Sequence, residues 1–545
     1  MKVSDLLVRC LENEVVRYVF GVPGEEIEDL LFSLERSSVK FITTRHEQGA
    51  AFMADVWGRL TGKAGVCLST LGPGATNLVT GVADASLDKR PMLAITGQAG
   101  LERIQRESHQ YLDVVNLFRP ITKWNGSISS SDVVAEMVRK AFKTAESEKP
   151  GPTHLELPED VAKLNSDQQP LPSIRVRRPD PDCRALTDAA ALIRASRKPL
   201  VIAGNGAIRK LACSQLRQLA TTYGLPVVNT FMGQGALSDA SPQSLLTIGL
   251  GYRDIVMDAL DQADLIITVG YDLAEYAPHR WNPKADKRII HIDFTPAEVY
   301  THYQPAVELV ADISATLREI NAGLRGHNFD TAWYAPIRQR ILADIASYDL
   351  KKSQPFTVPG VLNILHTIMG ENDLLLSDVG SHKIWIARNF PVESPNGCLI
   401  SNGLSSMGFA LPGAVAAALQ DPQRRIVAAM GDGGFLMNSQ ELETAKRLGV
   451  AFTVLIFNDN DYGLISWKQR IERGRETGTR LTNPDFKQYA ESFGIRGYSP
   501  RTLPDLKRQL REAITSKELS VVDIPVDQGV NFELVQKLNR KHGTG

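Results

Sequence analysis

Two clusters in the last third of the chain hold residue types that could do chemistry together. Gly431-Asp432-Gly433-Gly434 follows the apolar run Ile426 to Met430, and Asn458-Asp459-Asn460-Asp461-Tyr462-Gly463 follows a second run, Ala451 to Phe457. Glycines let backbone N–H groups approach an anion closely, and a helix beginning there favours negative charge. That describes a phosphate site, yet Asp432 in its middle would repel phosphate unless a cation stood between them. Asp459 lies 27 positions further on, room for one loop, one helix and one strand. The two carboxylates therefore fall at neighbouring strand ends. Hard oxygen ligands of this kind, with phosphate oxygens, suit octahedral Mg²⁺. Glycine loops and acidic strand ends are also ordinary turn chemistry, and without a following GK[ST] this is not a Walker loop. Asn438 is expected to cap the helix after the loop, with Glu441 three positions later completing a capping box.

Strand ends need sheets to carry them. Short Val/Ile/Leu-rich runs (AGVCLST, PMLAITG, PLVIAGNG, DLIITVG, RIIHIDF, RIVAAMGDGG, FTVLIFN) alternate with longer amphipathic segments. This rhythm predicts an α/β protein with parallel sheets flanked by helices. The polar, Pro-rich stretches 164–182 and 347–360 read as linkers. They divide the chain into three domains, 1–165, 185–345 and 355–545. The first and third end alike, in GPTHLELPED (151–160) and ELSVVDIPVD (518–527). The echo suggests two outer domains of related build around a different middle one, where the GNG of VIAGNGAIRK (201–210) could be a dinucleotide loop.

Composition narrows the class. A chain of 545 residues exceeds one core. Lys+Arg is 61 against Asp+Glu 62, so nothing steers the protein toward nucleic acid or a membrane surface. The five cysteines (Cys10, Cys67, Cys183, Cys213, Cys398) form no CxxC, which fits reduced thiols in a cytosolic protein. MKVSDLLVRCLENE carries charges where a signal peptide would be apolar. No apolar run approaches the roughly 20 residues of a membrane span. The expectation is a cytoplasmic enzyme.

Several stretches, in order, resemble one family from end to end. GDGGF followed by NDNDYG is similar to the diphosphate and metal signature of thiamine diphosphate enzymes. RHEQGAAFMADVWGR (45–59) and STLGPGATN (69–77) resemble the pyrimidine-side motifs, and SDVGSHKIW (377–385) and SNGLSSMGFALPGA (401–414) the pyrophosphate-side motifs. The order is that of the acetohydroxyacid synthase group: pyrimidine domain (1–165), middle domain (185–345), pyrophosphate domain (355–545). GYDLAEYAPHRWNP (270–283) stands where the FAD-containing biosynthetic branch has a GARFDDR-type segment. With HQYLDVVNLFRPITKW (109–124), this resembles the catabolic, flavin-free branch, so FAD is not expected.

The resemblance implies roles for particular residues. Glu47 would share a proton with the aminopyrimidine ring nitrogen and so promote removal of the thiazolium C2 proton. Met407 would support the bent cofactor, with its N–H and the Ser405 carbonyl on the pyrimidine edge. Val379, Gly380, Ser381 and His382 would wrap the diphosphate opposite Gly431, Gly433 and Gly434. Asp432 and Asp459 would hold Mg²⁺ by side chains and Asp461 by its carbonyl, with Tyr462, Gly463 and Leu464 completing that loop. Val22, Pro23, Gly24, Pro73, Asn77 and Gln110 would line the pyrimidine and substrate side, Gln110 as a catalytic residue. The family places Glu47 and the GDG site across a subunit boundary, which implies a homodimer at minimum and a homotetramer as the usual form. No regulatory subunit is expected.

Two departures bear on the substrate. Asp272 stands where the biosynthetic branch has a substrate-recognising Arg, and Lys468 stands where the branches have Trp or Gln. Lys468 could hold an acceptor carboxylate or could be a solvated helix lysine. The implied reaction decarboxylates pyruvate and condenses the two-carbon unit with a second pyruvate or another small 2-oxo acid, giving 2-acetolactate in the first case. A simple 2-oxo acid decarboxylase would share every cofactor residue, though no paired His-His motif is present. An FAD-containing biosynthetic catalytic subunit and a non-catalytic binding subunit are the other readings. Retention of Glu47, Asp432 and Asp459 together opposes the last.

Overall fold

The computed structural model describes residues 1–540 apart from Gln105, Arg175, Lys210, Leu211, Gly251, Tyr252, Asp349, Lys351 and Lys352, with side chains described up to residue 535. Arg175 belongs to the first expected linker, Asp349, Lys351 and Lys352 to the second, and Lys210 ends VIAGNGAIRK; these positions, with the last five of the third expected domain, lie outside the described residues.

Three six-stranded sheets carry the chain. In sheet order the first holds Lys40–Thr43, Tyr18–Gly21, Gly65–Ser69, Met92–Gln98, Pro152–Pro158 and Trp124–Ser127. The third holds Cys398–Ile400, Leu374–Ser377, Ile426–Gly431, Thr453–Asn458, Ser520–Pro525 and Arg496–Tyr498. Numbered within their own sheets, both read 2-1-3-4-6-5, so the outer domains share one strand order, as the matching strand-ends suggested. The middle sheet, Val307–Val310, Arg288–Asp293, Leu265–Val269, Pro199–Ala203, Val227–Asn229 and Ser244–Thr247, has the doubly wound order 3-2-1-4-5-6 read from its other edge. Every neighbouring pair is parallel. Central strands such as Met92–Gln98 and Leu265–Val269 are buried along their whole length, the consequence of helices on both faces. The second linker is shorter than expected. Thr357 caps a helix that starts at Val358 with Pro359 in its first turn, a position where proline's missing N–H costs nothing.

The outer domains share one apolar core. Helix Glu47–Thr61 lies against helix Ala410–Gln420, with Phe52 and Phe409 edge to face at 5.7 Å. Between them sits a buried charge cluster. Arg59 donates to both oxygens of Asp55 at 2.9 and 2.7 Å, to Asp84 at 3.2 Å, to Asp88 at 2.7 Å and to the Ile400 carbonyl at 3.0 Å. Ser401 and the Gly403 N–H of the third domain donate to Asp84 and Asp88, both at 2.6 Å. Asn205 of the middle domain donates to the Asp88 carbonyl at 2.8 Å. All three domains thus meet at one point. Among the described residues, no helix is long and apolar enough to cross a membrane.

Arg59→Met should be severe. It removes the cation hydrogen-bonded to three buried carboxylates, a loss of about 3–5 kcal/mol for a broken buried pair. Guanidinium unfolding should show the outer-domain transition moved to markedly lower denaturant; an unmoved transition would mean the cluster adds nothing.

Candidate active site

Glu47 opens helix Glu47–Thr61 and is 8% exposed. Its Oε2 accepts from Asn77 Nδ2 at 2.9 Å, and Asn77 lies on helix Pro73–Leu87, which Pro73 begins. The loop Val22-Pro23-Gly24 reaches the same place, where Gly24 packs on Thr70 and Glu26 accepts from the Thr70 hydroxyl at 2.7 Å. Gln110 is exposed, with φ of 58°, and its carbonyl lies against Gly72. The structure therefore gathers Gly24, Glu47, Pro73, Asn77 and Gln110 at the carboxyl edge of the first sheet.

The third sheet presents its own carboxyl edge. Helix Ser381–Asn389 begins after Val379-Gly380, and His382 is buried with Nε2 lacking a partner among the described residues. Burial pushes this imidazole down to about 4, so it is neutral at physiological pH. Gly431 and Gly380 both lie against the His382 ring. Two glycine loops against a buried imidazole with an orphaned ring nitrogen fit an anionic group such as a diphosphate. Asp378, fully buried, accepts from the N–H groups of Gly408 and Phe409 at 3.0 and 2.9 Å. It fixes the turn after Met407. Ser405 has φ of 57° and receives a hydrogen bond from the buried Lys383 at 3.0 Å. Met407 faces Gly434.

Asp432 is 1% exposed and starts helix Asp432–Asn438 at the end of its strand. Its Oδ2 accepts from Asn483 Nδ2 at 2.6 Å; that amide also lies 3.1 Å from the Oδ1 atoms of Asn458 and Asn460. Asp459 Oδ2 accepts from Gln528 at 2.6 Å, and its Oδ1 from the Asp461 N–H at 3.1 Å. Burial, then the charge of Asp432, pushes Asp459 up to about 7, and burial raises Asp432 as well. Asp461 is buried, with Oδ1 unpartnered among the described residues. Tyr462 lies on Gly433, and Gly463 lies between Asp459 and Gln528. Leu464 follows on helix Gly463–Arg473. Among the described residues no three His, Cys, Asp or Glu side chains converge as a metal set. The oxygens here are two carboxylates with the amide oxygens of Asn458 and Asn460 close by, a hard donor set that fits Mg²⁺.

One expectation is corrected. Asn438 ends helix Asp432–Asn438 and caps nothing; its amide donates to the Gly408 carbonyl at 2.8 Å. The next helix starts at Glu441 without a side-chain cap. The glycine loop itself forms the helix start, so the capping pattern fell one helix too late. Lys468 is exposed on helix Gly463–Arg473. Asp272 faces Lys149 of the first domain at 3.7 Å. Asn483 and Gln528, which hold the two carboxylates, carry no motif signal, though Gln528 does follow the last strand end.

Comparison with known proteins decides the family. Models of the thiamine pyrophosphate enzyme N-terminal TPP binding domain, central domain and C-terminal TPP binding domain match residues 1–117, 186–320 and 378–524. An acetolactate synthase of Bacillus subtilis (strain 168) is 34% identical, over 99% of this chain and 96% of its own. A catabolic acetolactate synthase of Raoultella terrigena is 36% identical, over 98% and 97%. The chain belongs to the acetolactate synthase family of thiamine pyrophosphate enzymes. The acetolactate synthase isozyme 1 large subunit of Escherichia coli (strain K12), 32% identical over 96% and 94%, is a further member.

The carboxylate pair makes a pH prediction. Asp459 keeps its proton up to about 7 in the fold but loses it near 4 when unfolded. Stability at this site is therefore full at low pH and lost as pH rises toward 7. Between pH 5 and 8 the metal-free protein should lose more stability than Asp459→Asn does, and added Mg²⁺ should narrow the gap. Parallel pH profiles of the two proteins would refute this.

Proposed function

We propose that the protein decarboxylates pyruvate and joins the two-carbon unit to a second pyruvate, giving 2-acetolactate and CO₂. The observation that carries this reading is the buried Glu47 held by Asn77, on a chain whose other outer domain carries the Asp432–Asp459 oxygen set. Thiamine diphosphate supplies the electron sink for decarboxylation when bound. The chain's residues bind and orient it. Val379, Gly380, Ser381, His382, Gly431, Gly433 and Gly434 take the diphosphate, and Asp432, Asp459 and the Asp461 carbonyl take Mg²⁺. Ser405 and Met407 support the pyrimidine, and Glu47 holds and returns its proton. Gln110 lies on the substrate side, and Lys468 offers its exposed ammonium to the acceptor's carboxylate.

Independence from FAD belongs to the same proposal. Asn205 of the GNG turn donates its N–H to both oxygens of Glu275, at 3.0 and 3.1 Å, and Gly206 donates to the Gly270 carbonyl at 2.8 Å. These are the groups that a dinucleotide phosphate would need, and the chain's own residues occupy them. A homodimer, and a tetramer built from it, is supported by exposed Leu404, Leu436, Met437 and Ile465 beside the cofactor loops. Self-sufficiency without a regulatory subunit and a cytoplasmic setting complete the reading.

Purified protein given pyruvate, thiamine diphosphate and Mg²⁺ should form acetolactate, read as acetoin after acidification. Acetaldehyde and CO₂ without acetoin would replace the proposal with a simple decarboxylase. Glu47→Gln should retain cofactor binding and lower kcat by about two to four orders of magnitude, the span of general acid–base groups. Turnover within about threefold of the parent would show that Glu47 is not the proton-sharing group.

A further inference from the structure

Glu441 is a fully buried carboxyl group whose hydrogen-bond partners among the described residues include no cationic side chain. It opens helix Glu441–Leu448 of the third domain, yet it faces the first. Its Oε1 accepts from the backbone N–H groups of Arg45 and His46, each at 3.1 Å, and its Oε2 from the Thr444 hydroxyl at 2.6 Å. Arg447, on the same helix, donates to the Thr43 carbonyl. This helix thus holds both donors and an acceptor of the turn 43–46. His46 is the N-cap residue of helix Glu47–Thr61, and Glu47 is the first residue inside it. The fit is close: a Cβ at Gly49 would stand 2.8 Å from Glu441 Oε1.

We propose that Glu441 is a positioning residue for Glu47, clamping the entry to its helix from the opposite domain. The proposal rests on the reading of Glu47 as the group that exchanges a proton with the pyrimidine ring. A carboxylate gives two oxygens with about four lone-pair sites, enough for two N–H groups and a hydroxyl together, whereas an amide gives one oxygen. Burial pushes Glu441 up to about 7, with Glu443 adding to the rise. The three donors oppose that rise by favouring the ionised form. Glu443, Lys446 and Arg447 on its own helix, and Arg45, His46 and Glu47 at the start of the other, are the charged or titratable groups around it. The segment that starts with the cation loop at Gly431 therefore ends, ten residues on, by fixing the approach of Glu47. Geometry matters here because displacing a reacting group by about 1 Å can cost about 10²-fold in rate.

The test uses the full-length protein, Glu441→Ala, Glu441→Gln, Gly49→Ala and Glu47→Gln. Gly49→Ala keeps the carboxylate but pushes it off its site, so it serves should Glu441→Ala fail to fold. Without cofactor, amide hydrogen exchange in a peptide covering residues 43–50 should quicken at least tenfold in Glu441→Ala and less in Glu441→Gln. With thiamine diphosphate and Mg²⁺ bound, exchange of the C2 proton into D₂O, followed by quenched NMR, should slow by about 10²-fold in Glu441→Ala. It should slow in the same direction in Gly49→Ala, while cofactor affinity stays within about threefold. A purely structural role would lower the unfolding midpoint without slowing C2 exchange in loaded protein, and that result overturns the proposal. If Glu47→Gln slows C2 exchange and neither Glu441→Ala nor Gly49→Ala does, only the positioning role falls. If Glu47→Gln leaves it unchanged, the assignment of Glu47 falls first and the proposal with it.

Discussion

A single helix, Glu47–Thr61, is held by the opposite domain at both ends and in the middle. Glu441 grips the turn that leads into it, Phe52 packs on Phe409, and Arg59 reaches the Ile400 carbonyl. Apolar attraction is non-directional and would not by itself forbid sliding of the shared core, built largely from alanine, leucine and phenylalanine. The Arg59 cluster does not tolerate it. Three buried carboxylates around one guanidinium are stable only with every partner in place, because an unpaired buried charge costs more than the pair contributes. The seam therefore has one register, and the loops at the carboxyl edges of the two outer sheets inherit it.

That register matters to the proposed reading because each outer sheet would supply a different half of the chemistry. The first brings Glu47, Asn77 and the Gly24 loop; the third brings the glycine loops and the acids. The acids are poorly placed for stability by themselves. Burial raises the proton affinity of both, and the charge of Asp432 raises that of Asp459 further; amides from distant loops, Asn483 and Gln528, occupy one oxygen of each. Such an arrangement is unfavourable as plain architecture and favourable around a cation. Strain of this kind at a strand edge is where a fold gives up stability for a ligand.

The sequence made the sheets legible because buried parallel strands are nearly continuous apolar runs. The acids at 432 and 459 were legible because strand ends are where ligands bind. Helix boundaries were less so. The pattern Asn438-x-x-Glu441 matches a capping box, yet both residues are spent on contacts distant in sequence, Asn438 on Gly408 and Glu441 on Arg45 and His46. Local pattern rules cannot see a partner almost 400 positions away. Asn483 and Gln528 escaped for the same reason: each meets its carboxylate through chain topology, 51 and 69 positions off.

The middle domain shows the converse limit. Its sheet keeps the doubly wound order, and its GNG turn sits at the strand end where such folds bind dinucleotides, so fold and motif agree. The site does not follow from them. Glu275 lies across the turn, accepting from Asn205 and Asp272 N–H groups and from the Thr230 hydroxyl. Burial pushes it up to about 7, while these three donors oppose the rise by favouring the ionised form. The same turn donates from Asn205 to Asp88, and the Glu275 carbonyl accepts from Asn402. A loop of the shape that elsewhere cradles a cofactor also braces the junction at which Arg59 joins the outer domains, and its glycines permit close packing of backbone on backbone.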